Sequence, residues 1–202
     1  MLKIAVLGST KGTDLQAIID AIESKEIDVS VEVVISNHKD AYILERAKKH
    51  GIKAAFVDPS GKTREEYDQE ILKVLQKYTP NLILCIGYFK IITSVLLNAY
   101  PNKIINVHPS LLPKYGGKMN LDVYEEVLKN KDKDTGCTVH FVNEQIDAGP
   151  IIMQKKVKVD KGDTVETLRA KVQEQEGKAF IEVLKMFDAG KIELNNGKVI
   201  MW

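Results

Sequence analysis

Leu2-Lys3-Ile4-Ala5-Val6-Leu7-Gly8 is a short apolar strand, Ser9-Thr10-Lys11-Gly12-Thr13 is a turn, and Asp14-Leu15-Gln16-Ala17-Ile18-Ile19 opens a helical pattern. The same rhythm continues outward from this unit. Further strands are expected near Val29 to Ser36, Ala54 to Val57, Leu82 to Ile86 and Lys103 to Val107, with helical patterns between them. Alternation of this kind predicts an α/β chain whose parallel sheet is covered by helices on both faces. The amphipathic stretch Thr63 to Lys77 is the clearest helix. After Pro113 the pattern changes. It predicts a helix near Leu121 to Asn130, strands at Thr138 to Val142 and Gly149 to Val159, a long helix from Thr164 to Phe187, and a terminal hairpin around Asn196-Gly197.

One strand of this pattern ends in chemistry. Ile104-Ile105-Asn106-Val107-His108-Pro109 is an apolar run interrupted by an amide and an imidazole at i and i+2, positions that share one face of a strand. Pro109 then stops the strand from continuing in the middle of a sheet. In an open α/β sheet, substrates bind where the parallel strands end, and Asn106 and His108 are placed at such an edge. A second apolar run, Cys137 to Val142, leads into a loop with a carboxylate before Ala148-Gly149-Pro150. Asn106, His108 and Asp147 could meet there.

An imidazole that titrates near neutrality, an amide with two N–H donors and a carboxylate that can orient the imidazole suit acyl transfer without a covalent intermediate. A Ser-His-Asp arrangement using Ser110 competes with this, but Ser110 follows Pro109 and lacks the Gly-x-Ser-x-Gly elbow that exposes a serine nucleophile. Each residue also has an ordinary structural role. A strand-end His is often a satisfied core group, Pro109 to Pro113 can be a rigid turn, and Asp before Ala-Gly-Pro is a common turn former. Only the combination points to a site.

The first turn offers a second feature. Backbone N–H groups of Gly12 and Thr13, with the Thr13 hydroxyl, can hold a phosphate at the start of the helix. The spacing is neither Gly-x-Gly-x-x-Gly nor a Walker loop, so the turn by itself resembles many strand-to-helix connections.

Composition sets the outer bounds. The chain has 202 residues, 44% of them hydrophobic and 28% charged, enough for one substantial core; a single domain over 1–202 is expected. With 29 basic and 28 acidic residues the formal charge is +1, which argues against a broad nucleic-acid surface. Cys85 and Cys137 lie far apart in apolar runs and look like reduced core residues, with no metal site expected. The longest apolar run, Leu82 to Phe89, is far too short for a membrane span, and no targeting segment is evident. A cytoplasmic protein acting on small molecules is expected, as monomer or homodimer.

Three segments carry a family resemblance. Asn106-Val107-His108-Pro109-Ser110-Leu111-Leu112-Pro113-Lys114-Tyr115, Gly136-Cys137-Thr138-Val139-His140-Phe141-Val142 and Asp147-Ala148-Gly149-Pro150-Ile151-Ile152 together resemble the phosphoribosylglycinamide formyltransferase family. The resemblance runs over nearly the whole chain and implies a Rossmann-like formyltransferase fold with an additional C-terminal strand and helix region. It also implies formyl transfer from 10-formyltetrahydrofolate to the amine of glycinamide ribonucleotide, in purine biosynthesis. Asn106, His108 and Asp147 take the family's catalytic positions. Gly87-Tyr88-Phe89-Lys90-Ile91-Ile92 resembles the stretch that flanks folate, and Thr63-Arg64-Glu65-Glu66-Tyr67-Asp68 resembles another recurrent motif. Arg64, Phe89, Lys90, Ile91, Ile92, Val142, Asn143 and Ile146 are thereby implied on the folate side. Gly12, Thr13, Asp14, Pro109, Gln173 and Glu176 are implied on the acceptor side, with Glu176 matching a Glu that binds ribose hydroxyls.

The chain departs from the family pattern in places. Asp14 stands where the family has Asn, Gly177 where it usually has His, and Gly116-Gly117-Lys118-Met119 replaces Pro-Gly-Leu-His. A carboxylate turned toward phosphate would repel it, so Asp14 is expected to cap the helix instead. Two other functions stay open: a folate-dependent formyltransferase for another amine such as an amino sugar nucleotide, and a non-catalytic folate- or nucleotide-binding protein. Methionyl-tRNA fits less well, because that family's extra carboxy-terminal nucleic-acid domain has no counterpart here.

Overall fold

A computed structural model describes residues 1–118 and 121–202. The element order is β1 (Leu2–Gly8), α1 (Thr13–Glu23), β2 (Val29–Ser36), α2 (Tyr42–Lys49), β3 (Lys53–Phe56), α3 (Arg64–Leu75), β4 (Leu82–Ile86), α4 (Ser94–Ala99) and β5 (Ile104–His108). There follow α5 (Leu121–Lys129), β6 (Asp134–Phe141), β7 (Ile151–Lys158), α6 (Val165–Asp188), β8 (Ile192–Asn195) and β9 (Lys198–Met201). Every expected element is present. The largest shift in a boundary is at β6, which begins at Asp134, four residues before Thr138, because Gly136 with φ 159° stays extended inside the strand.

A seven-stranded sheet runs in the order β3-β2-β1-β4-β5-β6-β7. Pairing is parallel from β3 through β5 and antiparallel from β5 to β7. Central strands alternate between two cores, as a strand buried on both faces must. Ile4, Val6, Leu82 and Leu84 face the α1 and α6 side, whereas Ala5, Leu7, Ile83 and Cys85 face α3 and α4. Both cysteines are buried free thiols.

Local chemistry starts and stops these elements where they are needed. The Thr63 hydroxyl accepts from the Glu66 amide while the Glu66 carboxylate accepts from the Thr63 amide, a reciprocal cap that begins α3. Thr164 and Thr167 begin α6 in the same way. Gly177 sits at a close approach of α6 to α1: a Cβ there would lie 2.8 Å from Ala17 Cβ. At the far end of α6, Asn196 and Gly197 both have positive φ, the condition for a tight two-residue hairpin turn. That hairpin ends in Trp202, which is 63% exposed. Among the described residues, no helix is long and apolar enough to cross a membrane.

Candidate active site

A cavity of about 970 Å³ opens at the carboxyl ends of β1, β4 and β5. Chain order reverses on either side of β1, and this reversal opens the crevice. Asn106, His108 and Asp147 stand in its wall together with His140.

The antiparallel pairing of β5 with β6 sets Asn106 opposite His140 and His108 opposite Thr138. Asp147, from the loop after β6, places Oδ2 3.1 Å from His108 Nδ1 and Oδ1 3.7 Å from His140 Nε2. The Gly117 amide donates to Asp147 Oδ2 at 2.9 Å. Burial pushes the Asp147 carboxyl up, but its bond to His108, the charge there and the Gly117 amide outweigh burial and hold it below its ordinary value. It is therefore ionised at neutral pH. His140 Nδ1 donates to the Phe141 carbonyl at 2.9 Å, so in the neutral ring Nε2 accepts from Asn106 Nδ2 at 3.2 Å. Burial lowers the His140 pKa and favours that neutral ring.

His108 Nε2 bonds the Tyr115 carbonyl at 3.0 Å, so both its nitrogens face oxygens that can only accept. Tyr115 (φ 64°) and Asp147 (φ 52°) both hold left-handed backbone, which non-glycine residues adopt at some cost. Ser110 is buried and donates its hydroxyl to the Lys114 carbonyl, while Thr138 Oγ1 donates to the Ser110 carbonyl. Its hydroxyl serves the loop and is not a nucleophile.

One end of the cavity is formed by the first turn and by α6. Thr10, Lys11 and Thr13 line it. Gly12 does not; its backbone packs against Ile43, where a Cβ would approach to 2.4 Å. The expected cap by Asp14 is not what forms. Gly12, at φ 66°, is the N-cap of α1, no side chain caps the helix, and Asp14 lies inside the first turn. There it is 6% exposed, and its Oδ1 has no hydrogen-bond partner among the described residues. Burial pushes its carboxyl up to about 7. Glu176 on α6 is equally buried and is also pushed up, by burial and by the Asp14 charge, against the pull of Arg169. Arg169, Gln173 and Glu176 repeat at helical spacing on one face, so Arg169 was within reach of sequence reasoning. His140 was marked only by being the polar position nearest the end of an apolar strand.

The other end gathers the residues implied on the folate side. Arg64, Phe89, Lys90, Ile92, Val142 and Asn143 line it, and Ile91 (39% exposed) and Ile146 (59% exposed) hold apolar side chains out of the core. Pro109, by His108, also faces the cavity, and Lys118 does so while pairing with Glu126. The departure at Met119 lies outside the described residues.

The loop from Gly87 to Thr93 is tied down from two sides. Ser9 Oγ accepts from the Phe89 amide at 2.9 Å and donates to Asn37 Oδ1 at 2.6 Å. Buried Asp68 Oδ2 accepts from both the amide and the hydroxyl of Thr93, at 2.7 and 2.8 Å. Asp68→Ala removes the one acceptor that both Thr93 donors share, a loss of about 1–3 kcal/mol in loop order. The expected result is a rise of about tenfold or more in the Kd of a reduced folate, measured by calorimetry, with the Kd of a phosphorylated acceptor unchanged.

Residues 2–184 match the formyl transferase family. Phosphoribosylglycinamide formyltransferase of Haemophilus influenzae is 42% identical over 97% of this chain and 92% of its own length. The enzyme of the same name from Escherichia coli is 37% identical over 96% and 91%. The crystal structure of glycinamide ribonucleotide transformylase 1 from Symbiobacterium toebii superposes with a TM-score of 0.93 at 40% identity, covering 100% of this chain and 94% of that one. The matched span runs from the first strand through both walls of the cavity and into α6, and the chain therefore belongs to the formyl transferase family.

Proposed function

We propose that this protein transfers the formyl group of 10-formyltetrahydrofolate to the amine of glycinamide ribonucleotide, a step of purine synthesis, as a cytoplasmic single-domain enzyme. The observation that carries this is the gathering of Asn106, His108 and Asp147 in the wall of one cavity with unlike ends, His108 paired with Asp147 and Asn106 bonded to His140. The acceptor phosphate goes to the turn before α1, where free helix N–H groups and Lys11 supply positive potential. The ribose goes to Gln173 and Glu176. The pterin lies along Phe89, Ile91, Ile92 and Val142, with Asn143 and Ile146 on the facing loop, and Arg64 and Lys90 meet the carboxylates of the folate tail.

Chemistry then needs no nucleophile from the protein. The acceptor amine attacks the formyl carbon, and the Asn106 amide donates to the oxyanion that develops. His108 exchanges the Tyr115 carbonyl for the same oxyanion through Nε2, while Asp147 holds Nδ1 and so orients the ring. As the C–N bond to the folate breaks, the proton lost by the amine passes through water beside Asp147 to the leaving nitrogen. His140, neutral, orients the Asn106 amide.

An amine panel offered with 10-formyltetrahydrofolate, followed by tetrahydrofolate release, tests the assignment. Release with glycinamide ribonucleotide is expected. Release with amino sugar nucleotides alone would move the assignment to another amine, and folate binding without release by any amine would make this a binding protein.

A further inference from the structure

Two carboxyl groups line the acceptor end of the cavity, Asp14 from the first turn of α1 and Glu176 from the middle of α6. In a site meant for a phosphorylated molecule, a pair of anions is a liability. The two helices approach closely at Gly177 and Ala17, and both carboxyl residues are buried, each 6% exposed. Asp14 Oδ1 is buried against the cavity with nothing bonded to it among the described residues, so it holds unused hydrogen-bonding capacity beside the ligand.

We propose that Asp14 and Glu176 hold one proton between them, and that this shared proton is what lets a phosphorylated acceptor bind. With the proton, one member is a neutral hydroxyl donor equivalent to an Asn amide, and the other remains a single acceptor for the hydroxyls of the ligand. Without it, two adjacent negative charges oppose the phosphate. The inference rests on the acceptor end being as assigned above.

The surroundings agree with a neutral member. Groups that act on the pair are Arg169 on α6, Tyr124 on α5 and Cys137 on β6. Arg169 supplies one positive charge, enough to balance one carboxylate but not two. Lys11 stands at the turn assigned to the phosphate, and Arg46 of α2 is spent on the Lys11 carbonyl and Gln16 Oε1. Tyr124 and Cys137 are both held in their neutral forms by burial, which pushes the Cys137 thiol up to about 12. Burial pushes both carboxyls up, the Asp14 carboxyl to about 7, which favours a retained proton on the pair.

The test compares wild type with Asp14→Asn in the acceptor KM between about pH 6 and about pH 8.5. The acceptor's own phosphate and amine titrate identically in both proteins, so the wild-type to variant ratio isolates the pair. That ratio is expected to start near one and to reach about tenfold at the alkaline end, because the two-charge state opposes phosphate only in wild type. Glu176→Gln, which also leaves a single carboxyl, should flatten the profile as well, and it serves if Asp14→Asn folds poorly. Calorimetric binding of glycinamide ribonucleotide in two buffers of different ionisation enthalpy gives a second reading. Above neutrality wild type should take up more protons on binding than either variant. Transfer with a flat ratio and equal proton uptake overturns the inference and leaves the proposed function standing. No transfer at any pH overturns the proposed function and the inference with it.

Discussion

Replacing Asn106 or His108 with Ala, or Asp147 with Asn, is expected to lower kcat by about a hundredfold or more for each single change, while folate affinity stays within about threefold. The asymmetry follows from where these groups act. Asn106 and His108 address charge that exists only once the amine has added to the formyl carbon, and a donor aimed at that charge contributes little to ground-state binding. Asp147 is expected to behave alike for a different reason. Its Oδ2 meets both His108 Nδ1 and the Gly117 amide, and Asn keeps an acceptor there but removes the negative charge beside the imidazole. Single-turnover rates with equilibrium binding of the donor separate rate from affinity. Near-normal turnover in all three variants would remove the catalytic assignment.

Gly149→Ala is expected to be the most damaging change that touches no reacting group. A Cβ at Gly149 would fall 1.7 Å from the Phe141 carbonyl oxygen and 2.8 Å from its carbon, and backbone cannot swing aside as a side-chain tip does. The clash sits beside the bond from the Phe141 amide to the Pro150 carbonyl, which closes the loop between β6 and β7. Opening that loop displaces Asp147, two residues away. A loss of about 3 kcal/mol or more in stability is expected, with turnover falling alongside. Gly162→Ala is the control: nothing lies within 4 Å of its Cβ position, and a change within about 0.5 kcal/mol is expected. Denaturant midpoints for the two variants check both statements, and equal midpoints would show that the β6–β7 loop can move at little cost.

Features set by neighbours along the chain were legible in the sequence. Strand and helix positions followed from apolar period, and the shared face of Asn106 and His108 followed from their i and i+2 spacing. Asp147 was reached through a motif. His140 was not reached, because its position against Asn106 depends on the register of an antiparallel pairing between strands thirty-odd residues apart. Asp14 shows the opposite failure. Its local statistics favour a cap, but Gly12 in the left-handed conformation takes that role, and burial against a glutamate of α6 decides what the carboxyl does. Residues so distant in the chain meet only through the packing of α1 on α6, which no local pattern encodes.

The hairpin at the end of the chain makes the protein its own optical instrument. Trp202 is the only tryptophan, it is largely exposed, and its amide reaches back to the Lys191 carbonyl. Twelve residues of α6, about 18 Å, separate the hairpin's start from Glu176. Indole emission will therefore report the docking of the last two strands and stay silent about ligands in the cavity. Comparing its melting curve with that of far-ultraviolet dichroism reveals whether the carboxy-terminal hairpin detaches before the sheet unravels.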